Sequence, residues 1–227
     1  MKRRTLDILF GIGGLVVALL LVVVGIVMTS NANFAKNYVA DQLGQQHITF
    51  KTVDTLTDEE KAQACLVTYA GQKLTTGKQA ECYANNFIGL HVKGIANGQT
   101  YADLGGPQTQ ARNALTAAQQ ANPNDPAIAD LQKQLDGVTA QRDTLFKGET
   151  LRGLLLTSYG FSVFGEKAAQ AALVAYLAAG LLFLLGIAGL IHALVTPKTK
   201  AFAPPETVEA IVPKPAGPAE DRVQVRI

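Results

Sequence analysis

The chain has 227 residues, 48% of them hydrophobic, and 20 Lys and Arg against 18 Asp and Glu leave a formal charge of +2. So small a charge excludes strong electrostatic attraction to nucleic acid or to acidic partners. Once two long apolar stretches are set aside, the remainder has room for one small water-exposed domain.

Residues 1–7 carry Lys2, Arg3 and Arg4 and read as a cytoplasmic N-terminus. Residues 8–28 follow without a single charge. As a helix rising ~1.5 Å per residue this stretch reaches ~31 Å, about the hydrocarbon thickness of a bilayer, and it is expected to be a first transmembrane helix. A cleaved signal peptide has a shorter apolar core, ~7–15 residues, and a small-x-small cleavage site. Here Met28, Thr29, Ser30 and Asn31 close the stretch, so an uncleaved anchor is expected. Gly11, Gly14, Ala18 and Gly25 within it are small residues of the kind that let helices approach closely in lipid.

Residues 29–166 are expected to form an extracytoplasmic α-helical domain. Phe34, Tyr38, Val39 and Leu43 give residues 33–46 a helical spacing, so the first helix should continue outward as a stalk. Residues 47–53 alternate Ile48, Phe50 and Val53 with polar neighbours and read as a short strand or extended linker. Thr57 followed by Glu60 is a capping box that should start a helix running to Ala70. Thr75 or Thr76 can cap a second helix as far as Asn97, where Asn97-Gly98 marks a turn. The two would make a helix hairpin over about 58–97. A glycine-to-lysine spacing over 71–78 resembles a phosphate loop, but five residues rather than four separate the glycines and Gln79 stands where Ser or Thr should bind the metal.

The chain's only cysteines, Cys65 and Cys82, fall one in each arm of that hairpin. Their even number and shared oxidising side predict a disulfide. Closing a loop of this length stabilises by roughly 3 kcal/mol on the chain-entropy argument. Two cysteines without a nearby His pair do not supply four metal ligands.

Further helices are expected over about 107–121 and 126–148. Pro107 sits in the first turn of one, and Asp125 with Pro126 opens the other. Ile128, Leu131, Leu135, Val138 and Leu145 form a coiled-coil-like seam, with Arg142 in a skipped seam position that should bring it a carboxylate or a seam end. Residues 151–165, with Leu154, Leu155, Tyr159 and Phe161, are too apolar for a free surface and read as an interfacial segment on the membrane or on a neighbour.

Residues 168–195 are again uncharged, and a second transmembrane helix is placed at 167–195. Ala168, Ala171, Ala172, Ala175, Ala179, Gly186 and Gly189 form small-xxx-small rows along it. Such rows pack either the chain's own two spans together or a further membrane subunit. Residues 196–227 hold six of the nine prolines and read as an extended cytoplasmic tail. Its closing Val223, Val225 and Ile227 alternate with polar residues, a pattern that would suit strand addition to a partner. Lys198 and Lys200 after the second span and the basic N-terminus before the first put both termini in the cytoplasm by the positive-inside rule.

Residues able to carry catalysis are sparse. His47, His91 and His192 are isolated along the chain. His91 reads as a structural residue on an apolar helix face, and His192 as a headgroup-level residue without relay partners. No catalytic residue, cofactor or metal site is expected.

Gly98-Gln-Thr-Tyr101-Ala-Asp-Leu104, together with Leu151-Arg-Gly-Leu-Leu-Leu-Thr-Ser-Tyr159-Gly160-Phe161 leading into the second span, resembles a family of actinobacterial two-span membrane proteins. The resemblance covers roughly residues 8–195. It implies an all-α protein in the plasma membrane beneath a mycolic-acid-type envelope. Some members are named as aromatic-ring dioxygenases, but this chain has no iron-binding set of His and carboxylate residues. Together these readings lead to a non-catalytic accessory subunit in contact with the lipid bilayer and with polytopic membrane subunits, with a Mce-type lipid transporter as the first candidate. A respiratory supercomplex subunit and an extracytoplasmic ligand-sensing protein are the alternatives. The sensor would show an apolar pocket between external helices.

Overall fold

The structure is a computed structural model that describes residues 3–197. The expectations for Val223, Val225 and Ile227, and for Lys2, Lys198 and Lys200, lie outside these residues. All regular structure among the described residues is helical. Helices α1 (Arg3–Gly44) and α7 (Ile128–Val195) each hold a stretch long and apolar enough to cross a membrane. Between them come α2 (Asp58–Lys61), α3 (Ala64–Thr68), α4 (Gly77–Cys82), α5 (Gly89–Ile95) and α6 (Gly105–Ala121).

The chain divides into two compact units. The first joins residues 3–19 to residues 180–197. Its two helical segments run antiparallel, because Asp7 meets His192 while Gly14 lies against Leu182. Their backbones touch where side chains are smallest. A Cβ added to Gly186 would lie 3.0 Å from the carbonyl oxygen of Gly11, so neither position has room for a side chain.

The second unit is Leu20–Ala179. Its core gathers Val39 and Leu43 from α1, Leu66 and Leu74 around the hairpin, Ile88 and Val92 from the second arm, and Leu145 and Leu155 from α7. The segment after α1 is extended rather than a true strand. Phe50 N–H donates to the Gln72 carbonyl (2.9 Å) and Leu74 N–H to the Ile48 carbonyl (2.9 Å), around a single bridge between Thr49 and Lys73. These bonds hold the hairpin against the end of α1.

Both hairpin arms differ from plain helices. The Thr57–Glu60 capping box forms, but α2 stops at Lys61 and the chain restarts at Ala64. Glu60 and Leu66 show 0% and 1% of their surface. Six positions along an unbroken α-helix turn through ~600°, which sets two side chains about 120° apart around the axis. The break between them lets both turn toward one core. Thr76 starts the second arm with its own capping box to Gln79, and the arm widens into a π-helical turn over Tyr83–Ile88. Ala80, Ala84, Ile88, Val92 and Ala96 are buried at every fourth position. An α-helix drifts ~40° per four residues, and the wider turn takes up part of that drift.

The seam residues Ile128, Leu131, Leu135, Val138 and Leu145 do form the inward side of the first part of α7. Arg142 finds no carboxylate there. Its Nη1 donates to Gln108 Oε1 (2.6 Å), its Nε to the Tyr101 carbonyl (3.3 Å), and its guanidinium lies 4.1 Å from the centre of the Tyr101 ring. Residues 151–165 are not a separate segment either, since α7 runs through them without interruption. Leu155 is buried in the core, so the apolar character of this stretch serves packing within the chain on one side.

Candidate interaction surfaces

Cys65 and Cys82 are joined by a disulfide with their Cα atoms 6.0 Å apart, and no free cysteine is present among the described residues. The bridge ties α3 to the end of α4 directly before the π-helical turn. It therefore fixes the hairpin against Phe50, whose ring packs on Tyr69 of the first arm and Tyr83 of the second.

Glu60, five residues before Cys65, is a buried charge. Lys51 Nζ donates to Glu60 Oε1 (2.8 Å) and the Thr57 backbone N–H to Glu60 Oε2 (2.8 Å). Burial pushes the Glu60 carboxyl up, but the hydrogen bonds from Lys51 and Thr57 and the nearby cations outweigh it and hold the carboxyl below its ordinary value. His91 completes the cluster, with Nε2 3.4 Å from Glu60 Oε1 and Nδ1 2.7 Å from the Phe87 carbonyl oxygen. Burial raises the nearby Tyr83 phenol, and the charge of Glu60 adds to that effect. Among the described residues the partners of the His91 ring are the Phe87 carbonyl and the Glu60 carboxylate, which tie the second arm of the hairpin to the first.

His192 has the partner that reading along the chain did not find. Its Nδ1 lies 2.9 Å from Asp7 Oδ2, across 185 residues of sequence. His47 stands elsewhere, in a left-handed conformation (φ 53°) where the chain leaves α1. Among the described residues no group of three or more His, Cys, Asp and Glu side chains is placed to hold a metal ion.

Many of the small residues of α7 fall on one face. Gly165, Ala172, Ala179, Gly186 and Ala193 are all buried and recur every seven positions, as do Gly11, Ala18 and Gly25 on α1. Ala175 is also buried, whereas Ala168 and Gly189 are half-buried at the edges. Ala171 is exposed, one residue and ~100° away from Ala172. Within the first unit this face meets α1 at Gly11; within the second, Gly165 lies against Ala35 and Gly25 against the Tyr176 ring. These rows therefore pack the chain's own helices in each unit.

Surfaces flanking these rows are apolar and uncovered. In the second unit the rings of Phe34, Tyr38 and Phe161 cluster with centres 5.7 to 6.3 Å apart, and Phe34 is 59% exposed. Leu154 and Phe164 extend the patch along α7, at 62% and 76% exposure. Two grooves of about 400 Å³ flank α1 at Val39. One runs beside this aromatic cluster, between Gln42 and Leu154. The other is lined by Lys36, Ser162 and Glu166. No family model, curated protein or solved structure matches the chain.

Proposed function

We propose that the chain crosses the plasma membrane twice, holds its disulfide-bonded domain on the extracytoplasmic side, and serves as a non-catalytic accessory subunit of a larger membrane complex. The exposed cluster of Phe34, Tyr38 and Phe161, with Leu154 and Phe164, carries the reading. Residues 34 and 38 lie beyond the uncharged stretch 8–28, and residues 154–164 precede the stretch 168–195, so the patch falls outside both apolar spans. Lipid tails do not reach far past a span's end, and an uncovered aromatic patch in water is costly. Patches of this kind mark protein contacts. With the small-residue rows used inside the chain, these larger side chains are the surface left for a polytopic partner. The disulfide agrees with the extracytoplasmic placement, because such bonds persist in oxidising compartments. The resemblance to actinobacterial two-span proteins directs the choice of complex to a lipid transporter of the Mce type.

A photo-crosslinking residue in place of Phe161 or Phe164 tests this in the membranes of the native cell. The expected product is a discrete adduct with one polytopic membrane protein, absent when the same probe replaces Lys133 on the exposed side of α7. Adducts with lipid alone, and recovery of the chain as a lone monomer in mild detergent, would contradict the accessory role.

A further inference from the structure

The groove beside the aromatic cluster lies wholly within the second unit, between α1 and α7. The two helices run antiparallel there, since Gly165 lies against Ala35 and Gly25 against Tyr176. Val39, Leu43 and Leu155, each 3% exposed, form its floor. Its lining runs from residue 38 to residue 46 on α1, ~12 Å, and from residue 151 to residue 161 on α7, ~15 Å.

The groove carries no charge. None of its lining residues is Asp, Glu, Lys or Arg, and residues 153–165 of α7 are uncharged throughout. Nearby charges are directed elsewhere: Lys36 lines the other groove, and Arg152 donates to Glu149 and Asn85. Thr157 and Ser158 turn their hydroxyls back onto α7, 2.9 and 3.2 Å from the carbonyl oxygens of Gly153 and Leu154. The polar groups left to a neighbour are neutral: the Tyr38 hydroxyl and the amides of Gln42 and Gln46, the two amides one turn apart on α1. A charged group entering here would lose its water without meeting an opposite charge.

The surface to be covered is wider than the groove. Phe34, its ring 6.3 Å from that of Phe161, and Phe164 stand outside the lining at 59% and 76% exposure. Tyr38, Leu154 and Phe161 in the walls are 48%, 62% and 37% exposed. At ~200 Å² per ring the four aromatic side chains alone leave roughly 400 Å² uncovered, about half of what each partner buries in a stable interface. One acyl chain would fill the floor and leave Phe34 and Phe164 in water. An α-helix, ~10 Å across with its side chains, is broad enough to rest on both flanks.

We infer that the groove receives one amphipathic helix of the polytopic partner, a segment of ~3 turns outside the bilayer whose groove-facing side is apolar and uncharged. Its apolar residues recur every three or four positions and fill the space over Val39, Leu43 and Leu155. Its neutral polar flank meets Gln42 and Gln46. This inference rests on the accessory reading above and names the chemistry of the partner surface.

Photo-crosslinking residues in place of Gln42, Gln46 or Leu154, each in the full chain in native-cell membranes, test it once the partner peptide of each adduct is sequenced. All three positions are exposed. The expected result is three adducts on one partner segment outside its spans, with the residues caught from positions 42 and 46 three or four apart, as a helix lying along α1 requires. Leu154→Glu should lower the adduct yield of the probe at position 42 about tenfold, and Leu154→Met should leave it unchanged. Circular dichroism should show wild-type helicity in both variants. Captured residues two apart or on separate segments, adducts with lipid or with a second copy of this chain, no adduct, or full yield in Leu154→Glu would overturn the docked helix. If probes at Phe161 and Phe164 still give their discrete protein adduct, the accessory role survives that result; if they too give none, it falls as well.

Discussion

Glu60 shows how a single residue joins local signal to tertiary structure. Its role at the start of α2 is legible from Thr57 and Glu60 alone, because the capping box is a four-residue pattern. Its burial beside Lys51 and His91 is not, since that depends on the second arm of the hairpin bringing His91 of α5 against the first. The consequence is a pH dependence with a definite sign. The carboxyl is held below its ordinary value of 4.5 in the folded chain, so ionised Glu60 favours the folded state. That stabilisation is complete above the unfolded-state value and is lost as the pH falls through the lower folded-state value. Thermal unfolding in detergent should therefore show the melting temperature falling below about pH 4.5, and Glu60→Gln should flatten that fall while lowering the plateau at neutral pH. An unchanged acid limb in Glu60→Gln would show that other carboxylates govern it. The bond between Asp7 and His192 was hidden for the same reason: nothing local links residues 185 apart.

At the scale of elements, strong local punctuation was readable and long-range fit was not. Pro107, Asp125 and the Thr76 cap announce α6, α7 and α4 through backbone chemistry confined to a turn. The break after Lys61 and the π-helical turn over Tyr83–Ile88 arise from which side chains must share a core, and no local pattern encodes that. Arg142 makes the same point, because its seam position was plain but its partners come from elsewhere, Gln108 from α6 and Tyr101 from the turn before it. The small-residue rows were visible as spacing, while their partner was left open. Their packing within the chain predicts a sharp contrast between glycines. Gly186→Leu would drive a side chain into the Gly11 carbonyl and the Leu15 side chain, and should lower stability in detergent by about 1–3 kcal/mol. Gly13 has nothing within 4 Å of an added Cβ, and Gly13→Leu should leave stability unchanged. Equal effects of the two substitutions would mean that this helix contact does not form.

For the molecule as a whole, the two apolar stretches and the single disulfide were legible because each is a property of composition: uncharged length in one case, an isolated pair of cysteines in the other. The α7 half of the aromatic patch was legible as the apolar run 151–165, but its meeting with Phe34 and Tyr38 was not, because that depends on which faces of α1 and α7 remain outward after the small residues have met. Everything proposed for these surfaces depends on the domain and the tail lying on opposite sides of a membrane. Single cysteines at Lys133 and at Ala210, each treated in intact cells with a membrane-impermeant maleimide, test this directly, since both native cysteines are already bonded to each other. The account predicts labelling at position 133 in intact cells and at position 210 only after the membrane is opened. Labelling of both positions in intact cells, or of neither, would contradict it.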